Sequence, residues 1–305
     1  MADSLLLRAA ASAAGDQRYP ASALYVVATP IGNLADLSLR AVHVLALVDA
    51  IACEDTRHSA RLLRHLGVEK PLVAVHAHNE REAAPAVLAR LARGERVAYI
   101  SDAGTPALSD PGAALVAAVR DAGYQAMPVP GASATLAALS VAGDQRGASF
   151  RFAGFLPAKA AERGQALNTL LTHADAQILF EAPHRIEALC AALSLACPSR
   201  TITLCRELTK QFETVVTLPA SELPGWLAAD ANRTRGEFVL VLHTAAATLE
   251  KSSHHDTTLR ALLDALPLKQ AVTLAMQITG APRNALYERA LVLKQGGSIE
   301  QAGGS

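Results

Sequence analysis

The chain has 305 residues, 51% of them hydrophobic, yet no apolar run approaches the roughly 18 residues that a membrane span requires, which argues against a membrane protein. Lysine plus arginine (28) balance aspartate plus glutamate (28), so no global field draws the chain to nucleic acid and any such contact rests on local patches. The length suits about two domains. The four cysteines, Cys53, Cys190, Cys197 and Cys205, lack paired metal-ligand spacing and sit in apolar or strand-like surroundings, the pattern of buried free thiols in a cytoplasmic protein.

Residues 1–22 read as an Ala-rich, poorly ordered extension, because Leu5 to Leu7 is too short for a secretory apolar region and Arg8 interrupts it. From Ala23 onward strand and helix signals alternate. Apolar runs predict strands over 24–28, 50–54, 72–75, 97–101 and 125–129, and helical periodicity predicts helices near 38–48, 56–66, 81–93, 111–122 and 133–142. This is the βαβ pattern of a parallel sheet covered on both faces, and it defines an N-terminal α/β domain over 23–147. A Gly-rich and polar break at 143–149 precedes a second α/β domain, 148–243, with strands near 151–155, 177–181, 201–205, 214–218 and 237–242 and helices near 160–171 and 185–195. Two of those strands are joined by too short a connection for a parallel crossover, so the second sheet is expected to be mixed. Residues 244–258 lose periodicity and read as a linker. Helices near 259–266, 268–279 and 284–294 then form a small helical domain over 259–295, and 296–305 is a tail.

The stretch SDAGTPALSDPG, Ser101 to Gly112, reads as a ligand-binding turn between a buried strand and a helix. Asp110 is a suitable N-cap, Pro111 fits the first helical position and Gly123 closes the helix. Within the loop, Gly104 admits a close approach of backbone to a ligand, Pro106 stiffens the turn, and Asp102 and Thr105 offer hydrogen-bonding side chains. No GxGxxG follows the first strand and no Walker lysine motif occurs, which removes the main sequence support for a dinucleotide or nucleoside triphosphate site. Further loops fall at matching strand ends: ATPIGNLADLS, CEDTRHS, HAHNE, PGASA, GFLPAK and FEAPHR.

As an ordered series running from Leu24 to about Leu293, continued by RELTKQFET, GEFVLVL, LPLKQAV and RNALY, these segments resemble the tetrapyrrole methylase superfamily. Within it they resemble the branch of ribosomal RNA small-subunit methyltransferase I. The first loop is less Gly-rich than in tetrapyrrole enzymes and the chain carries a helical appendage, so both features favour the RNA branch. The resemblance implies an α/β protein of two α/β domains with the cofactor cleft between them and a small C-terminal helical domain. It further implies S-adenosyl-L-methionine as cofactor, a homodimer, and 2′-O-methylation of a decoding-centre cytidine of 16S ribosomal RNA within the small ribosomal subunit. Two other readings stay open: a methylase of a tetrapyrrole or other small molecule, and a ribosome-binding protein without catalysis.

On the resemblance, the cofactor is expected at Asp102, Ala103, Gly104, Thr105, Ser133, Ala134, Phe155 and Ala182. A ribose hydroxyl is a poor nucleophile until its proton leaves, so a carboxylate or imidazole beside it assists transfer. Glu54, Asp55, Glu80, Glu181 and His184 lie at strand ends facing the expected cleft; Glu54, Glu181 and His184 are the catalytic candidates, while Asp55 is read as a helix cap. Arg57, Arg61, Arg64 and His65 share one helical face, opposite Ala60, Leu62, Leu63 and Leu66, and are read as phosphate contacts; a solvated helix face is the alternative. Arg185, Lys210, Lys269, Arg283 and Arg289 extend that set. Leu274, Ile278 and Leu286 are read as packing positions between domains or subunits, beside a helix-turn-helix reading of the same helices.

Overall fold

The computed structural model describes residues 5–147, 149–245 and 253–300. The chain divides into two compact units, Met1–Thr244 and Ala245–Ser305. Among the described residues no helix is long and apolar enough to cross a membrane.

The first unit opens with α1 (Leu5–Ala14), followed by β1 (Ala23–Val27), α2 (Leu39–Leu47), β2 (Ala50–Cys53), α3 (Thr56–Leu66), β3 (Leu72–Ala74), α4 (Glu80–Ala92), β4 (Val97–Ile100), α5 (Ala113–Asp121), β5 (Gln125–Val129) and α6 (Ala134–Ala142). The five strands form one sheet in the order β3-β2-β4-β1-β5, every pair parallel. Alternation along the strands sorts their side chains onto two faces. Tyr25, Val27, Ile51, Cys53, Ala98 and Ile100 pack with residues of α1, α2 and α3, whereas Leu24, Ala52, Val97 and Tyr99 pack with Val87, Leu91, Leu115 and Val119 of α4 and α5. Both faces are therefore covered, which is why these strands read as unbroken apolar runs.

Residues 5–14 correct the expectation of a poorly ordered extension. The Ala-rich stretch is a strong helix former, and Ala10 and Ala14 are buried, with Ala10 in the core shared with α2. Tyr25 Oη donates to Pro20 O and Arg96 Nε to Tyr19 O, holding the following segment down.

The second sheet is built from β6 (Phe150–Phe155), β7 (Ala176–Glu181), β8 (Thr201–Arg206), β9 (Thr214–Pro219) and β10 (Phe238–Leu242), with α7 (Ala160–Leu171), α8 (Ile186–Ala196) and α9 (Leu223–Ala228) between them. Its order is β6-β7-β10-β8-β9; β6 and β7 are parallel and all other pairs antiparallel, the mixed sheet expected from the short β8–β9 connection. One face packs against α7, α8 and α9 through Leu167, Leu189, Leu193 and Leu223. The other face packs against α6 through Ala138 and Ala142, which meet Ile178, Cys205, Val239 and Val241. The helix assigned from sequence to the first domain thus packs on the second sheet, and both sheets lie within the unit Met1–Thr244.

The second unit holds α10 (Ser253–Ala265), α11 (Leu268–Thr279) and α12 (Arg283–Glu300) around Leu259, Val272, Ala275, Leu286 and Ala290. The expected linker is helical from Ser253 and the expected tail is helical to Glu300; residues 246–252 and 301–305 lie outside the described residues. Of the three expected packing positions, Leu286 is core, whereas Leu274 and Ile278 are exposed.

Candidate active site

Three loops at the C-terminal edge of the first sheet are tied together by hydrogen bonds. Thr29 and Gly104 exchange a pair, Thr29 N to Gly104 O at 2.8 Å and Gly104 N to Thr29 O at 3.0 Å, and Thr29 Oγ1 donates to Ser101 O. Thr105 Oγ1 donates to Ala132 O, joining the loop after β4 to the one after β5. Gly104 has φ +78°, a left-handed conformation that a side chain resists. At Gly154, φ +63°, a register shift bends β6, and an added Cβ would lie 2.9 Å from Ser109 Oγ. The second sheet and the loop after β4 meet there because position 154 has no side chain.

Between these loops and the second sheet lies a cavity of about 380 Å³, within the range of small-molecule sites. Ala103, Gly104, Thr105, Ser133, Ala134, Phe155 and Ala182 line it, together with Glu181. Asp102 does not. It stands behind the loop, where its Oδ1 accepts Asp55 N at 3.2 Å and fastens the start of α3 to the loop after β4. Sequence reasoning did not single out Ile31, Leu108, Ser109, Thr135, Phe180, Pro183, Leu208, Glu237, Phe238 or Val239 for this wall, nor Asp110, which it read as a cap. The β10 residues arrive because β10 runs antiparallel to β7 and β8, so Phe238 stands opposite Glu181 and Arg206. Strand direction is a tertiary property, and only the GEFVLVL series marked the segment.

The helix after the loop also starts differently from the sequence reading. α5 begins at Ala113 with Gly112 at its N-cap, φ +129°, where a Cβ would sit 2.4 Å from a carbon of the buried Tyr99 ring. Neither Asp110 nor Pro111 caps it. The cap comes from Glu80, at the start of α4, whose Oε1 accepts Gly112 N at 2.9 Å and Leu115 N at 2.8 Å. Glu80 is thereby engaged as a long-range cap. Its neighbour Asn79 closes the preceding turn, accepting from His76 N and donating to Ala74 O.

Asp110 on the cavity wall and Glu54 and Asp102 behind it bring three carboxyls together beside the phenol of Tyr99, whose hydroxyl is buried without a hydrogen-bond partner. Burial, reinforced by the Asp102 charge, raises the Glu54 carboxyl; burial first and the Asp102 charge next raise that of Asp110, against a hydrogen bond with the Ser101 side chain that lowers it. Burial and the charges of Glu54, Glu80 and Asp110 push the Tyr99 phenol up as well. Glu181 is buried on the cavity wall. Its Oε1 accepts Ala182 N and lies 2.9 Å from Arg185 Nε, an ion pair whose N–H is not aligned for a hydrogen bond. Its Oε2, like Thr135 Oγ1 on the same wall, has no partner.

The remaining candidates scatter. His184 is exposed and does not line the cavity. Arg185 is turned inward to Glu181 and Leu156 O, Lys210 is held between Glu207 and Glu237, and Arg289 pairs with Asp256. Lys269 and Arg283 are exposed on the second unit. On α3, Arg57, Arg61, Arg64 and His65 form the exposed face and Leu62, Leu63 and Leu66 the buried one. Asp55 caps that helix, accepting Arg57 N at 2.7 Å and His58 N at 3.4 Å, and the Arg57 hydrogen bonds lower its carboxyl.

Residues 23–224 match the family described as Tetrapyrrole (Corrin/Porphyrin) Methylases, and residues 250–294 match the RsmI C-terminal HTH domain. The chain is 48% identical over 275 residues to Ribosomal RNA small subunit methyltransferase I of Pseudomonas aeruginosa, covering 89% of this chain and 97% of that protein. It is 47% identical over 273 residues to the protein of the same name from Neisseria meningitidis serogroup A, covering 89% and 94%. Among solved structures, the methyltransferase CobJ aligns at a TM-score of 0.55 and 20% identity over 73% of this chain and 94% of its own, a likeness of fold.

Proposed function

We propose, for a chain that belongs to the tetrapyrrole methylase family and within it to the ribosomal RNA small subunit methyltransferases I, that it methylates the ribose 2′-hydroxyl of a decoding-centre cytidine in 16S ribosomal RNA, with S-adenosyl-L-methionine as methyl donor. The observation that carries the choice of RNA over a small tetrapyrrole is the exposed arginine face of α3, whose N-cap residue Asp55 is hydrogen-bonded to Asp102 of the loop that lines the cavity. A backbone phosphate on Arg57 or Arg61 then lies beside the site of transfer, and phosphate contacts of this kind supply most of the affinity for a polyanion.

The cavity fits the cofactor in its chemistry. Ile31, Leu208, Phe238 and Val239 offer apolar surface to an adenine ring, and the unpartnered Thr135 Oγ1 and Glu181 Oε2 offer polar atoms to the ribose and amino acid parts. Gly104 brings backbone to the same wall. The bound cofactor supplies a methyl group activated by a positive sulfur. The residues of the chain then have to orient the acceptor, exclude water and remove one proton, tasks for positioned groups more than for covalent help. Arg185 steadies Glu181 in this arrangement. The reading carries with it a homodimer and a cytoplasmic location, where small subunits are met.

Incubation with labelled S-adenosylmethionine and either small ribosomal subunits from a strain lacking the modification or uroporphyrinogen III tests the reading. Label is expected in RNA and, after nuclease digestion, in 2′-O-methylcytidine. Label in the tetrapyrrole, or on a base, overturns it.

A further inference from the structure

Three acids line the cavity: Asp110, Glu181 and Glu237. Two of them are matched by cations. Glu181 lies 2.9 Å from Arg185, and Glu237 lies 2.7 Å from Lys210. Asp110 has no cationic partner among the described residues; it meets the Ser101 side chain and the charge of Asp102. Nor is it spent on helix capping, since Glu80 accepts the Gly112 and Leu115 N–H groups at the start of α5. Ala107 at φ 66° and Ser109 at φ 67° are non-glycine residues in the left-handed region, so the loop bends sharply on both sides of Leu108 to bring Asp110 to the wall. Two such residues within three positions represent strain of about 1–3 kcal/mol each.

We infer that Asp110 is the general base of the transfer, its carboxylate taking the proton of the acceptor hydroxyl as that oxygen attacks the methyl carbon. The oxygen–carbon bond forms, the carbon–sulfur bond breaks with its electron pair staying on sulfur, and the proton resides on the Asp110 carboxyl until it is released to solvent. The inference rests on the methyltransferase reading above. A carboxylate clamped by a guanidinium or ammonium is a weak base, whereas one in partly desolvated surroundings without a cation is a better one, because its proton affinity moves toward working pH. Glu54 is raised by similar causes but does not line the cavity. The ionisable groups around Asp110 are Asp102, Glu54, Tyr99 and Glu80 from the first sheet and its helices, and Glu181 and Glu237 across the cavity. Burial and then the Asp102 charge raise the Asp110 carboxyl, against the Ser101 hydrogen bond that lowers it, and no cation is paired with it among the described residues.

The test compares Asp110→Asn and Asp110→Glu with wild-type enzyme on small subunits, and measures S-adenosylmethionine affinity by calorimetry alongside. For Asp110→Asn we expect kcat to fall by about 10²–10⁴-fold, the usual range for a lost general base, with cofactor Kd within about twofold of wild type. In wild type kcat rises with pH through the raised carboxyl and then levels; the Asn variant loses that limb, and the Glu variant recovers part of the rate. A folded Asn variant with wild-type kcat and an unchanged acid limb overturns the inference. So does a loss of cofactor affinity as large as the loss in kcat, which would make Asp110 a cofactor ligand. Wild-type enzyme that labels no ribosomal RNA refutes the RNA reading itself, a result distinct from an active wild type with an unimpaired Asn variant.

Discussion

Glu80→Ala removes a carboxylate that accepts two backbone N–H groups across 32 and 35 residues of sequence, Gly112 N at 2.9 Å and Leu115 N at 2.8 Å. A hydrogen bond to a charged group contributes about 1.5–3 kcal/mol, and because both donors share one oxygen the pair is worth less than twice that, about 2–4 kcal/mol with the helix-dipole share included. In a unit of this size each kcal/mol moves the melting temperature by about 2–4 °C, so a drop of roughly 4–16 °C is expected by calorimetry if the loss is felt globally. If instead the loop between β4 and α5 opens locally, the melt changes little and S-adenosylmethionine affinity weakens, by about tenfold for each 1.4 kcal/mol. Glu80→Gln keeps an acceptor oxygen and loses only the charge, so it should show about half of either effect. Should Glu80→Ala melt within a degree of wild type and bind cofactor equally well, the long-range cap does not hold the loop and the reasoning fails.

Gly104→Val should abolish cofactor binding in a folded protein, because φ +78° strains a β-branched residue and breaks the Thr29–Gly104 pairing, while its Cβ meets Ile31 at 3.4 Å and Ala132 O at 3.9 Å in ordinary contact; unchanged affinity by calorimetry would remove the cavity from consideration. Arg57→Glu with Arg61→Glu should weaken binding to small subunits and reduce the slope of log K against log salt by about 1.4 or more, with cofactor affinity intact; identical binding at every salt concentration would leave α3 as a solvated face. Glu54 is a carboxyl raised in the folded state, so its favourable contribution is present below its unfolded pKa and is lost as pH rises through the higher folded value. Glu54→Gln should therefore melt above wild type at pH 7–8 and lose that advantage near pH 4, and a difference independent of pH would contradict the burial of its charge.

Much of the fold was legible because its signals are local. α3 and α7 span the residues that periodicity marked, 56–66 and 160–171, and the first-sheet strands fall within a residue of their apolar runs. Seven of the eight expected cofactor residues line one cavity, since the loop motifs sit at strand ends whatever the packing behind them. The α1 helix was missed because its Ala-rich composition reads as an extension when nothing is known to pack against it, and α2 beside it gives Ala10 a core to enter.

What the chain determines by itself is set within windows of about a dozen residues: where backbone turns, which residues alternate or repeat, and which loops hold glycine where φ is positive. What tertiary structure decided is the partner of each polar group. Asp110 looked like a cap because an aspartate before a proline and a helix usually is one; it lines the cavity because Glu80, 32 residues before Gly112, reaches that helix end first. Phe238 lies beside the site because β10 runs antiparallel to β7, and Arg185 and Lys210 find carboxylate partners, Glu181 for the first and Glu207 and Glu237 for the second, that no local pattern named. A hydrogen bond or ion pair between residues distant in sequence depends on the path of the chain through space, and no local pattern encodes it.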